Sequence, residues 1–161
     1  MTATELLQRS ELLAGMTSEQ IQKIAALGKE VEYSAGAVVV REGEVGDELY
    51  ILREGMVEVL VSKGAIADVP GPPRMEPVVR LGPGQSFGEM SLVDRGTRSA
   101  TVRCVEDGTN VYVVPRDGLL DLCDSDPRIG YVLMHNIASD LSFKLRHRNL
   151  RLRLEGEGGV P

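Results

Sequence analysis

Between Lys29 and Pro115 the chain is cut into short runs rich in Val, Ile and Tyr: KEVEY, AVVVR, ELYIL, MVEVLV, PVVRL, SATVRC and NVYVVP. They are separated by AG, REGEVGD, REG, GPGQSF and EDG. β-Branched and aromatic side chains suit a pleated, half-buried surface, and glycine-bearing links of this length turn the chain back on itself. Strands this short with turns this regular build a sandwich, a jelly roll or a small barrel. At 161 residues and 42% hydrophobic content the chain is the size of one domain, able to bury roughly two thirds of its unfolded surface without staples. With no Trp and two Phe, its core has to be built mainly from aliphatic side chains.

Helical patterns flank this body. Residues 4 to 14 carry Leu6, Leu7 and Leu13 on one side of a short predicted helix. In TSEQIQKIAALG, Thr17 is a candidate N-cap with Gln20 three residues on; Ile21, Ile24, Ala25 and Leu27 form the stripe, and Gly28 ends it. After the strands, VPRDGLLDLCD suits a short helix. Asp126 and Pro127 then open a long one, with Ile129, Val132, Leu133, Ile137, Leu141 and Leu145 at helical spacing. The segment SKGAIADVPGPPRMEP, with Pro70, Pro72, Pro73 and Pro77, reads as a surface loop. The expected organisation is one domain over residues 1–153, with helices at 4–28, a β body at 29–114 and C-terminal helices at 116–153. A flexible tail or linker follows at 154–161.

Several function classes fall away. A net charge of -6 opposes non-specific attraction to nucleic acid, although Lys144 to Arg153 holds five bases and no acid. Cys104 and Cys123 lack the spacing of a zinc or dithiol motif and suit reduced thiols in the cytoplasm. The start of the chain, MTATELLQRSELL, lacks the basic and apolar regions of a signal peptide. No run approaches the ~18 to 20 apolar residues of a membrane span, so no membrane insertion is expected. His135 and His147 are twelve residues apart on the long helix, which separates them by some 18 Å and about 120 degrees, too far to share one metal. No Walker sequence or nucleophile elbow occurs, and neither metal, cofactor nor catalysis is expected.

The stretch FGEMSLVDRGTRSATV, residues 87 to 102, carries the chemistry. Gly88 lets a ligand approach the backbone where a short helical turn begins, and the unpaired N–H groups of such a turn attract an anion. Arg98 is a permanent cation suited to phosphate, and Ser99 adds a hydroxyl. A carboxylate at Glu89 would repel that phosphate, which makes sense if it accepts from the hydroxyls of a sugar. The competing reading is a plain ion pair between Glu89 and Arg98 across a loop.

Order and spacing favour the first reading. Phe87-Gly88-Glu89, the turn Met90 to Val93, a link from Asp94 to Thr97, and Arg98-Ser99-Ala100 closely resemble the phosphate-binding cassette of the cyclic nucleotide-binding domain family. Upstream, AGAVVVREGEVGDELYILREGMVEV resembles the family's first hairpin region, with Gly36, Gly43, Gly46 and Gly55 in turns. The resemblance implies a mainly β fold with flanking helices, a double-stranded β-helix of jelly-roll type with N-terminal helices and a long C-terminal helix. It implies that Arg98, Ser99 and backbone N–H groups near Gly88 and Met90 hold the cyclic phosphate, and that Glu89 holds the ribose 2'-OH. Val79 and Leu81 become candidates for the wall against sugar and base, and Arg146 or Arg148 for a lid over the base.

The ligand so implied is cAMP, with cGMP less favoured; Ser99 suits either, and the preference rests on the habit of relatives carrying Arg-Ser. No segment after the long helix resembles a DNA reader, so direct nucleic-acid binding is not expected. The chain is then a cytoplasmic sensor, monomer or homodimer, that acts on an effector protein, or a piece cut from a longer regulator, channel or enzyme. The alternative is a β-roll that binds no nucleotide and docks a partner through its proline-rich loop or basic helix.

Overall fold

The computed structural model describes residues 2–63 and 74–154. Its elements run α1 (Ala3–Gln8), a 3-10 turn (Glu11–Leu13), α2 (Ser18–Ala25), β1 (Lys29–Tyr33), β2 (Val38–Val40), β3 (Glu48–Glu54), β4 (Val57–Lys63) and β5 (Arg74–Leu81). They continue with β6 (Ser86–Phe87), α3 (Met90–Val93), β7 (Thr101–Cys104), β8 (Thr109–Pro115), α4 (Arg116–Ser125) and α5 (Pro127–Leu154). The strands form two antiparallel four-stranded sheets, in the orders β1-β8-β3-β6 and β2-β7-β4-β5. Helices flank this β body at both ends of the chain, as the periodicities predict.

The first sheet is covered on both faces. On β3, Leu49 and Ile51 enter a core shared with the helices, whereas Tyr50 and Leu52 enter a second core shared with the other sheet. Opposite them on β8, Val114 and Tyr112 join the first core, and Val113 and Val111 the second. A strand buried on both faces has no polar alternation to keep, which is why ELYIL and NVYVV read as continuous apolar runs. Leu6, Leu7, Ile24, Leu119, Ile129, Leu133 and Ile137 fill the helical side of the first core. Each such fully buried side chain contributes about 1.5–3 kcal/mol.

Several predicted boundaries shift. The helix expected over residues 4–14 breaks after Gln8, and Ser10 turns the chain: its N–H donates to the Leu7 carbonyl and its carbonyl accepts from Leu13. That turn brings both Leu6-Leu7 and Leu12-Leu13 to the core. Thr17 and Gln20 form the expected capping box, but α2 stops at Ala25, before Gly28. At Gly28 a Cβ would lie 2.5 Å from the Tyr112 ring and 2.7 Å from the Val113 carbonyl, so glycine there permits a close packing contact.

The proline-rich interruption is shorter than its composition suggests. Ser62 and Lys63 belong to β4, and Arg74 to Pro77 belong to β5. Proline is tolerated at Pro77 because β5 is an edge strand and its pairing with β4 shifts register between Val59 and Leu60. Pro70, Pro72, Pro73 and residues 155–161 lie outside the described residues.

Candidate functional site

The first and second sheets, α3 and α5 together frame a cavity of about 250 Å³. Its apolar side is drawn from β2, β4, β5 and β7, through Val40, Val59, Val79, Leu81 and Val102. The polar side is the segment from Ser86 through Ser91 together with Asp94 and Gly96 to Ala100. One end therefore suits a flat apolar group and the other a charged one.

Arg98 is the centre of the polar side. It is only 9% exposed, and its guanidinium donates from Nη1 to the Ser91 hydroxyl at 2.7 Å and the Gly88 carbonyl at 3.2 Å. Nη2 donates to the Glu48 carbonyl at 2.9 Å, and the group lies 5.7 Å from the Tyr50 ring centroid. Every acceptor is neutral. Among the described residues no carboxylate pairs with Arg98, so the Glu89–Arg98 ion pair considered from sequence is not formed. A buried cation without an acid partner is costly, and here it lines a cavity where an anion would supply the missing charge.

The backbone fixes that guanidinium from several directions. The Arg98 N–H donates to the Glu44 carbonyl at 2.7 Å, its own carbonyl accepts from the Gly43 N–H at 2.9 Å, and Val45 bridges Thr97 alongside. A Cβ on Gly46 would sit 2.1 Å from Arg98 Cζ. Gly88 adopts φ +84, and a Cβ there would meet Arg98 Nη1 at 2.7 Å and the Glu48 carbonyl at 2.9 Å. Both glycines are thus shaped around one side chain. Tyr50 and Phe87 stack beneath, their centroids 4.8 Å apart. Burial first, and then the Glu48 carboxylate, push the Tyr50 hydroxyl up to about 12 against the pull of Arg98, so the ring beside the guanidinium stays neutral.

Glu89 immediately precedes α3, and the first hydrogen bonds of that turn begin with the N–H groups of Ser91 and Leu92. The N–H groups of Glu89 and Met90 thus precede the turn's own bonding. Leu92 anchors the turn in the helical core. The Glu89 carboxylate is nearly buried and pairs with Lys144 Nζ of α5 at 3.5 Å.

Of the residues singled out in the sequence, Gly88, Glu89, Met90, Arg98, Ser99, Val79 and Leu81 all line this cavity. Arg146 and Arg148 do not; the base that α5 brings to it is Lys144. Sequence reasoning also missed Ser91, Gly46 and Tyr50 as supports of Arg98. Only Ser91 had a local signal, a hydroxyl inside the same motif. His135 and His147 stack on Tyr131 and Phe143, each one helical turn earlier. No group of three or more His, Cys, Asp or Glu among the described residues is placed to hold a metal ion, and no described helix is long and apolar enough to cross a membrane.

Comparison with known proteins decides the family. The model of the cyclic nucleotide-binding domain matches residues 30–126. The chain belongs to the cyclic nucleotide-binding domain family. This family's domain is a regulatory module without catalysis of its own. A cyclic AMP receptor protein of Thermus thermophilus is 32% identical over 145 residues, 90% of this chain and 62% of that protein. A cyclic nucleotide-gated potassium channel of Rhizobium etli is 46% identical over 127 residues, 79% of this chain and 27% of the channel. The crystal structure of the Thermus thermophilus catabolite activator protein superimposes with a TM-score of 0.76 at 30% identity, over 91% of this chain and 63% of that one. The chain spans less than two thirds of each of these relatives.

Proposed function

We propose that this cyclic nucleotide-binding domain takes one cyclic nucleoside monophosphate, cAMP in preference to cGMP, and signals its occupancy through α5 to an effector. The observation that carries the reading is Arg98: a buried guanidinium held only by neutral acceptors, lining a cavity. A cyclic phosphate supplies a compact monoanion there, met also by Ser99 and the N–H groups of Glu89 and Met90. Glu89 accepts from the ribose 2'-OH, and Val79 and Leu81 pack against sugar and base. The cavity has room for one nucleotide, and a cyclic dinucleotide is disfavoured because its second phosphate would have to be accommodated near the Glu89 carboxylate.

Supporting the preference for cAMP, the Thermus thermophilus relative is named as a cyclic AMP receptor. Residues 1–153 form the binding domain in this reading. Successive strands alternate between the two sheets except at the β4–β5 hairpin, which supports a double-stranded β-helix. The relatives include a catabolite activator protein and a potassium channel, so the effector is either another protein or a domain beyond this sequence. The proposed setting is the cytoplasm.

Isothermal titration calorimetry of the folded chain with cAMP and cGMP tests the reading. Binding in the micromolar range or tighter is expected, stronger for cAMP, with a loss of at least about 100-fold in Arg98→Ala, since truncation removes the charge and its fork of donors. A 2'-deoxy analogue should bind more weakly than cAMP. No heat with either cyclic nucleotide would leave a β-roll that serves only as a docking module.

A further inference from the structure

The charged residues lining the cavity are Glu89, Asp94, Arg98 and Lys144. Without Lys144 two carboxylates would stand against one guanidinium, an unfavourable setting for an anion. Asp94 is occupied locally, its Oδ1 accepting from the Gly96 N–H at 3.0 Å. Glu89 is different: among the described residues Lys144 is its one cationic partner, at 3.5 Å. Lys144 is in turn steadied by Asp140, one helical turn earlier, at 2.8 Å. Burial by itself would lower the Lys144 pKa, but the hydrogen bond to Asp140 and the charge of Glu89 outweigh it and the net direction is up. The ammonium is thus kept charged at the cavity.

We infer that Lys144 is a specificity and positioning residue of the nucleotide site: by neutralising Glu89 it lets a carboxylate and a phosphate share one small cavity. The inference rests on the proposed cyclic nucleotide reading. A carboxylate retains further acceptor positions when it holds one ammonium, so Glu89 can accept from a ribose hydroxyl while paired. Two unlike tasks are thereby separated: Arg98 supplies the attraction, and Lys144 removes a repulsion that Glu89 would otherwise impose. The cation comes from α5, so the strength of anion binding depends on where that helix lies.

The test is a double-mutant cycle read by calorimetry with cAMP. Lys144→Met should weaken binding about three- to tenfold, the size expected of a half-exposed pair facing a charged ligand. Lys144→Arg should restore it to within about twofold. In the Glu89→Gln background, Lys144→Met should have no further effect beyond about twofold, because the charge it offsets is gone. Lys144 is 60% exposed in its side chain, so the fold should survive, and circular dichroism of each variant verifies this. Unchanged or tighter binding in Lys144→Met overturns the inference, the latter by making the pair a bar to the ligand. An equal loss in both backgrounds also overturns it. If the unaltered chain binds no cyclic nucleotide, the functional reading falls and this inference falls with it. If it binds and Lys144→Met changes nothing, only the inference falls.

Discussion

Two glycines that touch the same arginine separate stability from binding. At Gly88 an added methyl meets a backbone carbonyl, and the φ of +84 is one that side-chain-bearing residues rarely adopt. Gly88→Ala should therefore lose about 1–3 kcal/mol of stability in denaturant unfolding. At Gly46 the obstacle is the Arg98 guanidinium, a side chain that can be displaced. Gly46→Ala should keep its unfolding free energy to within about 1 kcal/mol while losing cAMP affinity about tenfold or more by calorimetry. Tyr50 carries a pH signature. Its folded pKa is raised, so the unfolded chain releases this proton near pH 10 and the folded chain near 12. Its stabilising contribution is full below about pH 10 and lost as pH rises to about 12. Urea melts from about pH 9 to about 12 should show a smaller alkaline loss in Tyr50→Phe than in the parent. Arg98, Glu89, Gly88 and Ser99 were legible because one continuous motif holds them. Gly46, Tyr50 and Lys144 were not, because they reach the site from β-strand, loop and helix segments tens of residues away, and no local pattern encodes that meeting.

At the scale of elements, α5 is tied to the start of the chain by one amide. Asn136 Nδ2 donates to both the Leu12 and the Ala14 carbonyls, each at 2.9 Å. Asn136→Ala should cost about 1–2 kcal/mol. Asn136→Asp should cost more, since it sets an anion against two carbonyl oxygens; thermal unfolding near neutral pH ranks the two. The site has its own tie to the helices. The Ser91 carbonyl accepts from Arg116 Nε at 2.6 Å, while the Ser91 hydroxyl accepts from Arg98. The turn α3 thus lies between the guanidinium of the site and the first residue of α4. Element types followed from periodicity and caps, and the long helix opens at Pro127 as predicted. The boundaries that moved were those decided by tertiary context. The bend at Ser10 is set by which leucines reach the core, and the extension of β5 through Pro77 depends on its place at a sheet edge.

The whole molecule is organised around a sheet that belongs to two cores. Leu52 lies fully buried between the sheets and Leu133 fully buried under the helices, yet both cores share β3 and β8. Leu52→Ala and Leu133→Ala should each cost about 2–5 kcal/mol and each leave one cooperative transition by both near- and far-ultraviolet dichroism. Separate melting of helices and sheets would contradict a shared centre. Beyond that centre, α5 has the proportions of a lever. From the anchor at Asn136 to Leu154 it runs eighteen residues, an arm of about 27 Å, so a tilt of ten degrees about the anchor carries its far end roughly 5 Å. Lys144, eight residues beyond Asn136, touches the cavity about 12 Å along that arm. A displacement at the pocket is thereby roughly doubled at the tip, and the gain of the device is set by how much helix runs on beyond Lys144.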